Sequence, residues 1–130
     1  MLTDVNKLIM RIAREYPDIV SLSSIGTTWQ GRPIYMLTVD AKGENKVVNK
    51  PAIFLTGAHH AREFMSTQMP LYSLLKMIHG ATHNDEKYKN MLTQNKYYIV
   101  PVVNVDGLAE IEREFNKTGK VLTRRKNMNS

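Results

Sequence analysis

An α/β fold, with helices layered on a β-sheet, is what this 130-residue sequence predicts. Apolar residues recur at helical spacing in two long segments, and short apolar or alternating runs between them read as strands. The two kinds of segment alternate along the chain, which is the pattern of an α/β layered domain. The composition, 42% hydrophobic and 23% charged, suits one globular domain with a real core and argues against disorder.

The elements follow in order. Leu2, Val5, Leu8, Ile9, Ile12, Ala13 and Tyr16 lie at helical spacing with charges between them, so an amphipathic helix is expected up to Pro17, which stops it. Two strands, residues 20–25 and 34–39, come next, joined by the polar, glycine-containing stretch 26–33 as a hairpin. A polar loop is expected over residues 40–50. Residues 52–56 form an apolar run closed by Gly57 and read as a strand buried on both faces. Phe64, Met65, Met69, Leu71, Tyr72, Leu75 and Ile78 predict a second helix over residues 62–78, kinked or short of a hydrogen bond at Pro70 and stopped at Gly80. Asn84 or Asp85 is placed to cap a short helix running to Leu92. Residues 97–103 read as another buried strand, weakened by Pro101, with a turn at Asp106-Gly107. The stretch 116–130 is polar and basic without helical period, and looks unfinished as a domain end.

The net charge of +6 is spread along the chain, with a gathering only at Lys117, Lys120 and Arg124-Arg125-Lys126, so a solvated basic face is expected and no nucleic-acid partner. The absence of cysteine excludes disulfides and thiolate metal sites. Charges at Asp4, Lys7, Arg11, Arg14 and Glu15 interrupt residues 1–16, leaving no signal-peptide core, and the longest apolar run is far too short to span a membrane. A soluble chain with no membrane partner is expected; oligomeric state is not readable.

Chemistry concentrates in Gly57-Ala58-His59-His60-Ala61-Arg62-Glu63-Phe64, at the carboxyl end of a predicted strand and the start of a helix, where α/β sheets place ligands. Such a turn can aim His60 and Glu63 at one point, and zinc accepts imidazole nitrogen and carboxylate oxygen. The same spacing also suits two turn histidines with satisfied hydrogen bonds and a carboxylate at the positive end of a helix. His79 would lie about 24 Å along the second helix from Glu63. His83 sits on a loop that would have to fold all the way back, so both read as surface histidines. A third ligand for the pair is missing from the sequence.

His-Ala-Arg-Glu after a glycine-ended strand resembles the first metal motif of the zinc metallocarboxypeptidases of the carboxypeptidase A and T group. Ile25-Gly26 through Gly31-Arg32-Pro33-Ile34 is similar to that family's early hairpin. The stretch Val100-Pro101-Val102-Val103-Asn104-Val105-Asp106-Gly107 resembles its next strand and turn, and Arg124-Arg125-Lys126-Asn127 its Trp-Arg-Lys-Asn segment. The matches fall in family order across almost the whole chain. Arg124 stands where the family has Trp, and Val105 where it has Pro.

The resemblance implies the front part of the carboxypeptidase α/β/α fold: a partial mixed β-sheet with flanking helices, residues 1–130 forming a single, incomplete catalytic domain. It implies Zn2+ as cofactor, held by His60 and Glu63, with His59 only a neighbour. Arg62 would line a substrate subsite, and Arg125 would bind substrate and stabilise the oxyanion at the scissile carbonyl. Asn104 and Asp106 read as turn-forming, and Glu110, Glu112 and Glu114 match no family base. The implied reaction is hydrolysis of C-terminal peptide bonds, with peptide or protein C-termini as substrate; the third zinc ligand and the general base would come later in the chain. Secretion is suggested by the family alone. Two other readings keep the same residues: a zinc amidohydrolase acting on small amino-acid derivatives, and an inactive peptide- or metal-binding remnant.

Overall fold

The computed structural model describes residues 1–41 and 49–128. Eight elements follow one another: α1 (Leu2–Glu15), β1 (Val20–Thr27), β2 (Pro33–Val39), β3 (Ala52–Thr56), α2 (Phe64–Thr82), α3 (Glu86–Gln94), β4 (Lys96–Val100) and α4 (Val105–Thr118). The strands form one mixed sheet in the order β1-β2-β4-β3. β1, β2 and β4 pair antiparallel, and β3 lies parallel to β4. This is the mixed α/β arrangement expected from the sequence.

Period-two alternation sets the sheet's faces. Leu37 opposes Ile99 and Val39 opposes Tyr97. Those four side chains join Val20, Ile9 and Ile12 of α1, Leu71, Leu74, Met77 and Ile78 of α2, and Leu92 of α3 in the main core. A second cluster gathers Leu2, Ala58, Val102, Val105 and Leu108 where α1 and α4 meet the loop after β3. The α1–α4 contact is also polar: Glu112 accepts from the Met1 amino group and from the Thr3 amide and hydroxyl, which satisfies donors at the start of α1.

Several expectations need correction. β3 is not buried on both faces: Phe54 is 60% and Ile53 42% exposed. Among the described residues no strand pairs with the far edge of β3, and Phe54 meets solvent. Gly80 does not stop α2, which runs on to Thr82. It is a site of close approach instead, since a Cβ there would come within 2.1 Å of the Tyr88 ring of α3. β4 ends at Val100, before Pro101, so residues 101–103 are irregular, with Pro101 and Val102 buried and Val103 half-buried. Asp106 and Gly107 lie in the first turn of α4, which Asn104 caps by accepting from the Gly107 amide at 3.0 Å. A residue that favours turns favours N-caps for the same reason, which is why the sequence reads either way. α4 continues to Thr118 and closes on Gly119 at φ 72°, so only the residues beyond it lack helical structure.

Two other expectations hold, at Asp85 and Pro70. Asp85 caps α3 by accepting from the Lys87 amide at 3.0 Å. α2 passes through Pro70, which has no N–H to offer the Ser66 carbonyl. Residues 42–48 of the expected polar loop lie outside the described residues; at its ends Lys50 Nζ reaches Asp40 at 2.7 Å and the Leu92 carbonyl at 2.8 Å. Among the described residues no helix is long and apolar enough to cross a membrane.

The hairpin between β1 and β2 is pinned from below. The buried Asp106 carboxylate accepts from the Thr28 hydroxyl at 2.8 Å, the Gln30 amide at 3.1 Å and the Arg32 guanidinium at 2.7 Å. Trp29, at the hairpin's tip, is 80% exposed.

Candidate functional site

The chain leaves β3 through Gly57 and Ala58, and four contacts fix the path. Gly57 N–H donates to the Val100 carbonyl, Val103 N–H to the Gly57 carbonyl, Asn104 N–H to the Ala58 carbonyl, and Ala58 N–H to the Ser66 hydroxyl. No side chain fits at residue 57, where a Cβ would stand 2.2 Å from the Ser66 carbonyl oxygen. Ala58 is buried at φ 49°, a left-handed conformation that costs a non-glycine residue free energy. The turn that follows is therefore held by β4's extension and the start of α2 together.

His60 and Glu63 sit on this turn, and the structure brings them together. His60 Nδ1 lies 3.0 Å from Glu63 Oε1, both side chains being partly exposed. Glu63 is the N-cap residue of α2, one position before the first turn where the sequence reading had it, and its side chain makes no capping bond. It is free to face His60. Two donors on one tetrahedral ion bound at about 2.0–2.2 Å stand roughly 3.3–3.5 Å apart, so the pair fits zinc with little adjustment, and the nitrogen and oxygen donor set suits that ion. Among the described residues no group of three or more His, Cys, Asp or Glu gathers at a point.

Arg125 joins the pair from the far end of the chain. Its Nη1 stands 3.6 Å from Glu63 Oε1. Arg124 goes elsewhere: it lies in the neighbourhood of Glu110, whose carboxyl is held below its ordinary value by its hydrogen bonds to Arg113, against the opposing effect of burial, with further help from the charges of Arg113, Arg124 and Arg32. Of the two adjacent arginines, Arg125 is the one whose guanidinium faces Glu63. Arg62 is exposed, and its Nη1 donates to the Thr123 carbonyl at 3.5 Å, against the segment that carries Arg125. His59 turns outward and meets the Thr56 hydroxyl at 2.8 Å, as expected of a turn histidine.

Sequence reasoning missed the part played by Asn104. Beyond capping α4, its Nδ2 donates to the His59 and Arg125 carbonyls, each at 3.4 Å, and the Ala61 amide donates to the same Arg125 carbonyl at 3.4 Å. One buried amide side chain thereby ties the His60 turn, the start of α4 and the Arg125 segment. The signal available in sequence was an Asn three residues before a Gly, which announces a cap and says nothing of a partner 21 residues away. Beside Asn104 a cavity of about 270 Å³ opens, lined in part by Trp29, Ile34, Val103 and Asn127.

Comparison with known proteins extends the picture. The family model described as zinc carboxypeptidase matches residues 5–130. A carboxypeptidase B of Rattus norvegicus is 38% identical over 100 residues, covering 76% of this chain and 23% of the relative. A zinc carboxypeptidase of Saccharothrix mutabilis subsp. capreolus is 32% identical over 108 residues, covering 82% of this chain and 23% of the relative. Among solved structures, thrombin activatable fibrinolysis inhibitor superposes with a TM-score of 0.84 at 27% identity, over 99% of this chain and 30% of that one. The chain thus spans 23% of the length of these two curated relatives.

Proposed function

Because the chain belongs to the zinc carboxypeptidase family, we propose that it forms part of a metallocarboxypeptidase, with His60 and Glu63 as zinc ligands and peptide or protein C-termini as substrate. The observation that carries this reading is the convergence of His60 and Glu63, three residues apart, with Arg125 from near the other end of the sequence. When bound, the metal lowers the pKa of a coordinated water toward about 7 and polarises a carbonyl.

The chain's own residues have distinct tasks in this reading. His60 Nδ1 and the Glu63 carboxylate hold the ion. The Arg125 guanidinium, charged at any working pH, faces the place where negative charge develops on the scissile carbonyl oxygen and stabilises it there. Arg62, exposed beside the Arg125 segment, offers further donors to a peptide carbonyl or carboxylate. Hydrolysis requires a base to take the water's proton and return it to the leaving amine as the C–N bond breaks.

We assign that base and the third zinc ligand to residues outside 1–130, in the same catalytic domain. Two observations support this: the chain spans 23% of the length of the rat and Saccharothrix relatives, and the apolar Phe54 of the sheet is 60% exposed. The test is hydrolysis of a blocked dipeptide by the purified 130-residue chain with and without zinc, alongside zinc titration. Negligible turnover and weak zinc binding, the latter reduced in His60→Ala and Glu63→Gln, are expected. Robust zinc-dependent turnover would overturn the missing-ligand assignment, and zinc binding unaffected by both substitutions would overturn the site.

A further inference from the structure

The last turn of α2 carries two histidines that the reaction does not use. His79 lies in that turn and His83 is the C-cap residue four positions on, both exposed. Their rings stack, with centroids 4.1 Å apart and planes within 12°. His83 Nδ1 stands 2.9 Å from the His79 carbonyl oxygen. A carbonyl can only accept, so Nδ1 carries the proton of this contact and Nε2 is the nitrogen left to meet a metal.

We propose that His79 and His83 form a second metal site, a two-point chelate for a divalent transition-metal ion that favours nitrogen ligands, such as Zn2+, Ni2+ or Cu2+. Histidines at i and i+4 share a helix face, the spacing at which two imidazoles hold one metal. A metal-binding histidine characteristically donates its other ring N–H to a carbonyl, and for His83 that contact already exists. The position is favourable for a cation as well, because the carbonyl end of a helix carries partial negative charge. Two nitrogens on one ion bound at about 2.0–2.1 Å stand about 2.9 Å apart at a right angle and about 3.4 Å apart in a tetrahedron. The near-parallel rings must therefore tilt until their lone pairs converge on one point, within reach of side-chain rotation at two exposed residues. With no third protein ligand among the described residues, water completes the coordination and the ion exchanges freely. Copper binds tightest in such a site, following the usual order of divalent affinities. Hard cations such as Mg2+ and Ca2+, which demand oxygen, are excluded. The site lies about 24 Å along α2 from Glu63, at 1.5 Å per residue, so it is independent of the His60 pair.

The experiment is titration of the isotopically labelled chain with CuCl2, followed by amide NMR. Substoichiometric copper is expected to broaden the signals of residues 78–84 selectively. His79→Gln and His83→Gln should each weaken this response about tenfold or more, because the second ligand no longer acts at high local concentration. The His60→Ala/Glu63→Gln double variant should keep it in full. The proposal is overturned if residues 78–84 respond no earlier than the rest of the chain, or if their response survives both glutamine substitutions.

Discussion

On one face of the sheet Leu37, Val39, Tyr97 and Ile99 are buried. One residue along the same strands, Thr38 and Tyr98 are only half-buried and Phe54 is 60% exposed. The hydrogen-bonded ladder is common to both faces, so it is not what separates them. The difference is the layer above: α1, α2 and α3 contribute Ile9, Ile12, Leu71, Leu74, Met77, Ile78 and Leu92 to the first face, and nothing described covers Phe54. An apolar side chain in a strand stabilises the fold only in proportion to the water that a neighbour removes from it.

Three substitutions sharpen or break that contrast. The largest effect belongs to the covered face. Ile99→Ala should cost about 2–5 kcal/mol in urea unfolding, because it leaves a cavity under α1 and α2. A cost below about 1 kcal/mol would mean that this face is loosely packed in solution.

Asp106 comes next, and it holds the hairpin without reference to either face. Asp106→Asn removes a charged acceptor from Arg32 and weakens the bonds from Thr28 and Gln30; a loss of about 1.5–3 kcal/mol is expected. Burial pushes this carboxyl up, but the hydrogen bonds from Arg32, Thr28 and the Gln30 amide outweigh it, so the folded-state value lies below the ordinary one. Its stabilisation is therefore complete above the unfolded value of about 3.9 and is lost as pH falls through the folded value. Unfolding measured from pH 6 down to pH 2 should show a steeper acid loss in the parent chain than in Asp106→Asn, and equal slopes would contradict the assignment.

The smallest effect is expected on the open face. Phe54→Ser should change stability by no more than about 0.5 kcal/mol. If its cost instead approaches that of Ile99→Ala, Phe54 is covered in solution by something, and a concentration-dependent midpoint would identify that cover as another copy of the chain.

Element type was readable because periodicity and breakers are local: α1 up to Pro17, the hairpin, and the Asp85 cap all announce themselves within a few residues. Burial was not, since Ala52-Ile53-Phe54-Leu55-Thr56 has the composition of a central strand yet pairs with β4 alone among the described residues. Gly80 misled for a similar reason: a glycine that ends a helix and one that admits a neighbouring ring look the same in sequence. At the site, a spacing of three residues at a strand exit allowed the His60–Glu63 pairing without deciding it. The choice of Arg125 over Arg124 depends on which way an irregular segment turns, and the bridging by Asn104 joins residues far apart along the chain; no pattern short of the fold contains either.

The hairpin tip has a practical consequence for spectroscopy. Trp29 is the chain's single tryptophan, and it stands in solvent on a loop tethered through Thr28 and Gln30. Its emission in the native state should already be red-shifted and accessible to iodide, and melting of the helices and sheet beneath it should barely alter the spectrum. Circular dichroism, which follows the helices, is the signal that will register the loss of the core.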